Sequence, residues 1–425
     1  MKDIKCFTDR HWDLIIIGGG LSGTAAAISA RREGLSVLLI EKGGFLGGAP
    51  GTMLINPFMP YSTMVDGARF ELSRGFFSEF RTLLREAGGY KAGREDIHEE
   101  YVKLVLDRLV REEGIQPLFH ATLCGVEKEG ERITAVKVVT KAGILSFYGS
   151  CFIDATGDAD LSVMSGCPYH LGRPDGLCQP MTLCFRIGIV DIPVFEDHRR
   201  EMQEKYREFQ SEGKIKNPRE DILSFSTLVD GILHFNTTRV VKLDPTNPFD
   251  VTEAEMAARE QMFEMYHFLK DNCPGFEHSQ LLYSASEIGV RESRMIDGEY
   301  LLTEKDLREC IKFDDAIAAG NYDIDIHNPE GSGTSHYYFP AGTWYTIPYR
   351  SLQPKNIQNL LVAGRCISVT HEAQASIRIM PIVTTIGQAA GTAAAIAIQK
   401  GVGVKHIDVK LLQEKLVKAG AFIGK

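Results

Sequence analysis

Three glycines, Gly18, Gly20 and Gly23, follow the apolar run Leu14-Ile-Ile-Ile17 at G-x-G-x-x-G spacing, and an acid, Glu41, ends the next apolar run, Val37-Leu-Leu-Ile40. Each position has a chemical use. Gly18 permits a tight turn, Gly20 lets a pyrophosphate approach the backbone, and Gly23 lets a helix lie close to the sheet. The helix start at Leu21 and Ser22 offers unpaired N–H groups and partial positive charge to phosphate. Glu41 is placed to accept hydrogen bonds from ribose hydroxyls. Together these residues predict an adenine-dinucleotide site. The glycine-rich stretch that begins at Lys42, with Lys42, Gly47 and Gly48 as further cofactor-binding candidates, suits neither a strand nor a helix interior. It reads as a loop pressed against the cofactor or as a surface turn.

A second set of residues offers proton and anion chemistry. His371 stands in the polar stretch Ser368-Val-Thr-His-Glu-Ala-Gln374 and is the first candidate for a base or acid; bracing that loop is its other reading. Arg291 and Arg294, three apart, share a face if the segment is helical. They are candidates for clamping a carboxylate or an enolate-like oxygen, or for ion pairs at a domain junction. Arg350 and Arg378 are further substrate-binding candidates or loop braces. His336, Tyr337 and Tyr338 read as substrate lining or as core. No spacing suggests a metal site, and no C-x-x-C pair suggests a disulfide relay.

The elements that must position these groups are legible as patterns. A strand–helix–strand unit is predicted over 13–41, a helix over 66–87, and a second helix with Asp96 and Glu99 as a capping box. Short apolar runs over 116–148 predict a strand and a small antiparallel meander. A charged helical stretch is expected over 196–214, and a small-residue helix over 382–399. At 425 residues, the chain exceeds one ordinary core. Its 44% hydrophobic and 24% charged content predicts a soluble globular protein, and the net charge of -9 argues against a nucleic-acid groove. Nine scattered cysteines fit reduced thiols. No secretory signal or membrane span is expected, so the expected location is cytoplasmic.

With these motifs quoted, the chain resembles the FAD-dependent oxidoreductases of the glutathione-reductase-like group with two dinucleotide-binding domains, distantly similar to fumarate reductase flavoproteins. The resemblance is carried by the glycine turn with Glu41, by Asp154-Ala-Thr-Gly-Asp158, by Leu361-Val-Ala-Gly-Arg-Cys-Ile-Ser368, and by Arg378-Ile-Met-Pro-Ile382 through Gly391. Gly289-Val-Arg-Glu-Ser-Arg294 and Ile347-Pro-Tyr-Arg-Ser-Leu352 also match. It implies an α/β fold: a Rossmann-like FAD-binding domain with a central parallel sheet and small β-meander, from residues 1–165 and 346–425, and an inserted α+β substrate domain over 166–345. It implies FAD contacts from Ala155, Thr156, Gly157, Asp158, Gly364 and Arg365, and from Met380 and Ile382 at the start of the last long helix. The implied activity is two-electron hydride transfer between a small organic substrate and flavin N5. Reduction of an activated, carboxylate-bearing C=C bond and a non-catalytic flavin-binding assembly role are the alternatives. No second strand–G-x-G-x-x-G–helix unit is visible, so electrons are expected to pass directly to substrate or to an external donor or acceptor.

Overall fold

The computed structural model describes residues 4–91, 93 and 95–425. The strand β1 (His11–Ile17) is apolar and buried over nearly its whole length, as a central strand covered on both faces requires. It pairs in parallel with Val37–Ile40 on one side and with the second half of Gly143–Asp154 on the other. Gln116–Leu118 and Leu360–Val362 extend the parallel sheet at its two ends. The first half of Gly143–Asp154 instead pairs antiparallel with Arg132–Thr140, which pairs with Thr122–Glu129. One long strand therefore serves both the parallel sheet and the expected meander.

The helix α1 (Leu21–Arg32) starts at the end of β1, and α2 (Met380–Lys400) packs along it. A Cβ at Gly387 would overlap the Ser22 carbonyl oxygen, and one at Gly391 that of Ala26. The small residues of α2 thus set the interaxial distance. α2 is the one helix among the described residues long and apolar enough to cross a membrane, and it lies buried in the core.

Two local expectations fail. Over 66–87 the chain forms a hairpin, Ser62–Val65 with Ala68–Glu71, before the helix Phe76–Glu86. The helix Glu99–Glu112 takes His98 as N-cap, not Asp96. Ile97 is held extended by its bridge to Tyr90 and by donating its N–H to Asn56 Oδ1 at 2.9 Å, so the helix cannot begin earlier.

A second core joins buried residues between Met181 and Ile288. It is built on a four-stranded antiparallel sheet in the order Ser224–Ser226, Leu233–Phe235, Phe185–Gly188, Gln280–Ser284. Two long helices, Ile192–Ser211 and Pro248–Asn272, accompany it. Residues 295–345 behave differently from the expected insert: Met295, Ile317, Ile324 and Tyr345 belong to the core of α1 and α2. The strand Ala316–Gly320, paired with Tyr345–Pro348, packs on α2 and holds them there.

Candidate functional site

The turn after β1 has the geometry its glycines predict. Gly18 adopts φ +101°, and a Cβ there would overlap the Ala155 carbonyl oxygen. A Cβ at Gly23 would overlap the carbonyl oxygen of Gly18. Gly20 is different, because its Cβ would meet nothing nearer than Gly48 Cα at 4.0 Å. Gly18 and Gly23 are therefore required by packing, whereas Gly20 keeps a face of the backbone open. The loop holding Gly47 and Gly48 closes on this turn, with Gly47 N–H donating to the Gly19 carbonyl at 2.8 Å and a bridge between Gly20 and Gly47. Glu41 accepts from the N–H groups of Gly19 at 2.6 Å and Gly43 at 2.7 Å, which fixes its carboxylate beside the turn. Lys42 ion-pairs with Glu287 at 3.0 Å.

The second and third expected cofactor segments converge here. Asp154, fully buried, accepts from Thr156 and Ser162 and shapes the turn Ala155–Gly157. Asp158 accepts from Arg365 at 2.6 Å and Ser293 at 2.5 Å. Burial alone would raise its pKa; Arg365, Ser293 and Lys42 outweigh that and hold it below the usual carboxylate value. A Cβ at Gly157 would sit 2.9 Å from Arg365 Cζ, and one at Gly364 3.7 Å from Ser22 Cβ. Two polar atoms of this cluster, Ser22 Oγ and Arg365 Nε, are buried without a hydrogen-bond partner. Such groups are costly unless something bonds them. An open glycine backbone, a helix N-terminus, an unbonded hydroxyl and an unbonded guanidinium N–H suit an anionic dinucleotide.

Beside this cradle lies a cavity of about 500 Å³, bordered on the cofactor side by Ala49, Arg365 and Met380. Arg291 and Arg378 both line it. Arg291 donates to the Pro180 carbonyl at 2.7 Å, to Thr182 Oγ1, and to Asn236 Oδ1 at 3.2 Å. All three partners are neutral. Burial, with Arg378 and Arg219 close by, brings its pKa down to about 9, so it remains a cation at neutral pH. Arg378 Nη2 donates to the Asp325 carbonyl at 3.3 Å, while its Nε is buried without a partner.

Other expectations are corrected. Residues 289–293 are not helical, so Arg291 and Arg294 do not share a helix face. Arg294 is absent from the lining; it is held by the Asp158 carbonyl at 2.7 Å and by the Asp160 carboxylate. Arg350 ion-pairs with Asp315 at 3.0 Å, away from the cavity. His371 does not line the cavity either. Its Nδ1 lies 2.8 Å from both oxygens of Glu292, a fully buried acid that also accepts from the Gln179 N–H at 2.8 Å. Ile382 packs into the core.

Of the opposite wall, the sequence offered His336 as lining or core, while Asp325, His327 and Thr334 were missed; Tyr337 and Tyr338 are absent from the lining. The hairpin Ile324–His327 with Thr334–Tyr337 pairs Asp325 with His336 and His327 with Thr334. All four side chains line the cavity, because a strand alternates its faces. Asp325 Oδ2 accepts from Tyr322 at 3.0 Å and lies 3.6 Å from Arg378. Burial alone would raise Asp325; His327 and Arg378 outweigh it and hold the carboxyl far below its usual value. His327 is pulled down to about 3 by burial and then by Arg291. Its Nδ1 faces donors on Arg239 at 3.2 Å and Thr334 at 3.3 Å, so the neutral ring accepts there. The alternation of polar and apolar residues in Asp323-Ile-Asp325-Ile-His327 was the available signal for that strand; Thr334-Ser-His336 is polar throughout and carries none.

Known proteins resemble this chain in part. Dihydrolipoamide dehydrogenase of Chaetomium thermophilum is 43% identical over 65 residues, 14% of this chain and 13% of that protein. Beta-cyclopiazonate dehydrogenase of Aspergillus oryzae is 33% identical over 96 residues, 22% of this chain and 19% of that protein. The chain thus matches less than one fifth of the length of these relatives. A solved flavoprotein/dehydrogenase from Cytophaga hutchinsonii superposes with TM-score 0.48 at 15% identity, covering 98% of this chain and 87% of that one. A family model described as FAD dependent oxidoreductase matches residues 13–416. Since that match spans the glycine turn, both later cofactor segments and the whole cavity wall, this chain belongs to the FAD dependent oxidoreductase family, and FAD is its cofactor.

Proposed function

We propose that the protein moves two electrons, as hydride and proton, between FAD and a small organic substrate bearing a carboxylate. The observation that carries this reading is Arg291: a partly buried cation facing the cavity with only neutral hydrogen-bond partners. Arg378 adds an unbonded buried Nε to the same space. Two such groups recognise a carboxylate through charge-assisted bonds. Thr182 and Asn236 fix the Arg291 fork, and Met53, Ile55, Met59 and Phe225 cover the cavity with apolar surface. Bound FAD supplies the two-electron acceptor or donor at its N5. An external redox partner completes the cycle, because the described residues hold one strand–glycine–helix unit. The parallel sheet with its meander supports placement in the glutathione-reductase-like group.

The test uses anaerobic holoenzyme. Dithionite-reduced protein is mixed with fumarate, crotonate or cinnamate, and oxidised protein with their saturated counterparts and with lactate, while the flavin absorbance is followed. Reaction with at least one acid, and about 10²–10³-fold loss in Arg291→Met, are expected from loss of a charge-stabilising group. Equal reaction of the matching neutral amides overturns the carboxylate reading.

A further inference from the structure

The cavity needs a proton carrier as well as an anion clamp, and the candidate expected from sequence, His371, is absent from its lining. We propose that His336, seated on Asp323, exchanges the substrate's proton with solvent; this rests on the oxidoreductase reading of the cavity.

Four observations place His336 in that role. Its ring lines the cavity, and its side chain is 36% exposed, so it reaches both the site and solvent. Its Nδ1 donates to Asp323 Oδ2 at 2.5 Å. That bond fixes the tautomer in which Nε2 carries the lone pair of the neutral ring and the proton of the charged one. The ring stacks on Tyr338 at 5.4 Å, which fixes its plane. Asp325 Oδ1, buried and without a hydrogen-bond partner, lies 3.8 Å from Nδ1. The charged and titratable groups around His336 are therefore Asp323, Asp325 and Tyr338, with Tyr322, His327 and Arg378 one contact further on around Asp325.

The step balances simply. In oxidation a substrate C–H bond breaks and its electron pair leaves as hydride to FAD. A proton leaves the neighbouring atom to His336 Nε2, and that bond's electron pair forms the new double bond. Bound FAD would supply the acceptor for the hydride's two electrons, and His336 releases its proton through its exposed edge. Reduction is the reverse.

Two measurements test this. The first needs no substrate: ¹⁵N–¹H long-range correlation spectra of histidine-labelled holoenzyme, with His336→Gln used for assignment. A proton on Nδ1 and a bare Nε2 in the neutral ring are expected; the opposite tautomer overturns the proposal. The second uses whichever acid of the panel above reacts. His336→Ala, with unchanged FAD content and melting temperature, is expected to slow the flavin half-reaction about 10²–10⁴-fold. Added imidazole is expected to restore at least one tenth of the rate. A variant that reacts at the native rate, or one that stays slow at saturating imidazole, overturns the assignment. If no acid reacts with native protein, the carboxylate reading fails while the tautomer result still decides the arrangement of His336.

Discussion

Residues that look alike in the sequence act differently in the fold. Gly18 and Gly20 belong to one motif, yet a Cβ overlaps backbone at Gly18 and meets open space at Gly20. Gly20→Val is therefore expected to keep its melting temperature within a few degrees and to purify colourless. Gly18→Ala is expected to lose both stability and FAD; calorimetry and the flavin absorbance of the two variants check this. Histidines separate in the same way. His234 is fully buried with neither ring nitrogen bonded, and burial with Arg186 pulls it down to about 3. His327, although its Nδ1 is bonded, is also pulled down to about 3, by burial and Arg291. Below pH 6.5 the unfolded chain takes up protons at both rings, while the folded chain refuses them until about pH 3. Stability must therefore fall on acidification across that window, by roughly 1.4 kcal/mol per ring per pH unit. His234→Leu is expected to flatten the dependence, and at pH 7 to be neutral or to stabilise by about 1 kcal/mol, since it removes two unbonded polar atoms. Denaturation midpoints between pH 4 and 8 read both effects.

At the scale of elements, close approach of helices sets the cofactor turn. Gly387 and Gly391 let α2 lie against the carbonyls of Ser22 and Ala26. Gly387→Ala must push α1 away or strain it, at a cost of about 1–3 kcal/mol. Because Ser22 stands in the cofactor cradle, weaker FAD retention is expected to accompany the lower melting temperature, and dialysis against flavin-free buffer measures it. These elements were legible in the sequence because continuous apolar runs and glycine spacing are local signals. β1, α1, the meander and α2 all answer to them. The hairpin before Phe76 was not legible, because its short strands are set by contacts with distant chain. The arginines show the same limit. Arg291 and Arg378 line the cavity, while Arg294 and Arg350 are taken up outside it by the carboxylates of Asp160 and Asp315. No spacing rule distinguishes a cation with a neutral cage from one with an acid beside it. The strand bearing Asp325 did carry a signal, a period of two, masked by a segment that otherwise looked irregular, whereas His336 was legible only as one of an aromatic cluster that reads as lining or core.

For the whole molecule, polar bonds that include one buried ion pair fasten the second core to the first. Arg186 on its sheet ion-pairs with Glu99 at 2.7 Å, and Glu99 also accepts from Tyr283 at 3.1 Å. Ser226 donates to Asp96 at 3.0 Å. Removing one partner of a buried pair leaves the other charge uncompensated, typically 3–5 kcal/mol. Glu99→Gln retains a hydrogen-bonding side chain, so a loss toward the lower end, about 3 kcal/mol, is expected by chemical denaturation. Faster proteolysis near residues 166–180, where the chain passes between the cores, is expected alongside it. The shared strand Gly143–Asp154 has one more consequence. Its parallel neighbour Leu360–Val362 and the helix that presses on Ser22 come from the last fifth of the chain. During synthesis the ribosome delivers the glycine turn first and its covering pieces last. A polypeptide ending at residue 350 would therefore lack affinity for flavin, and coenzyme capture waits until the strand Leu360–Val362 and the helix Met380–Lys400 have followed.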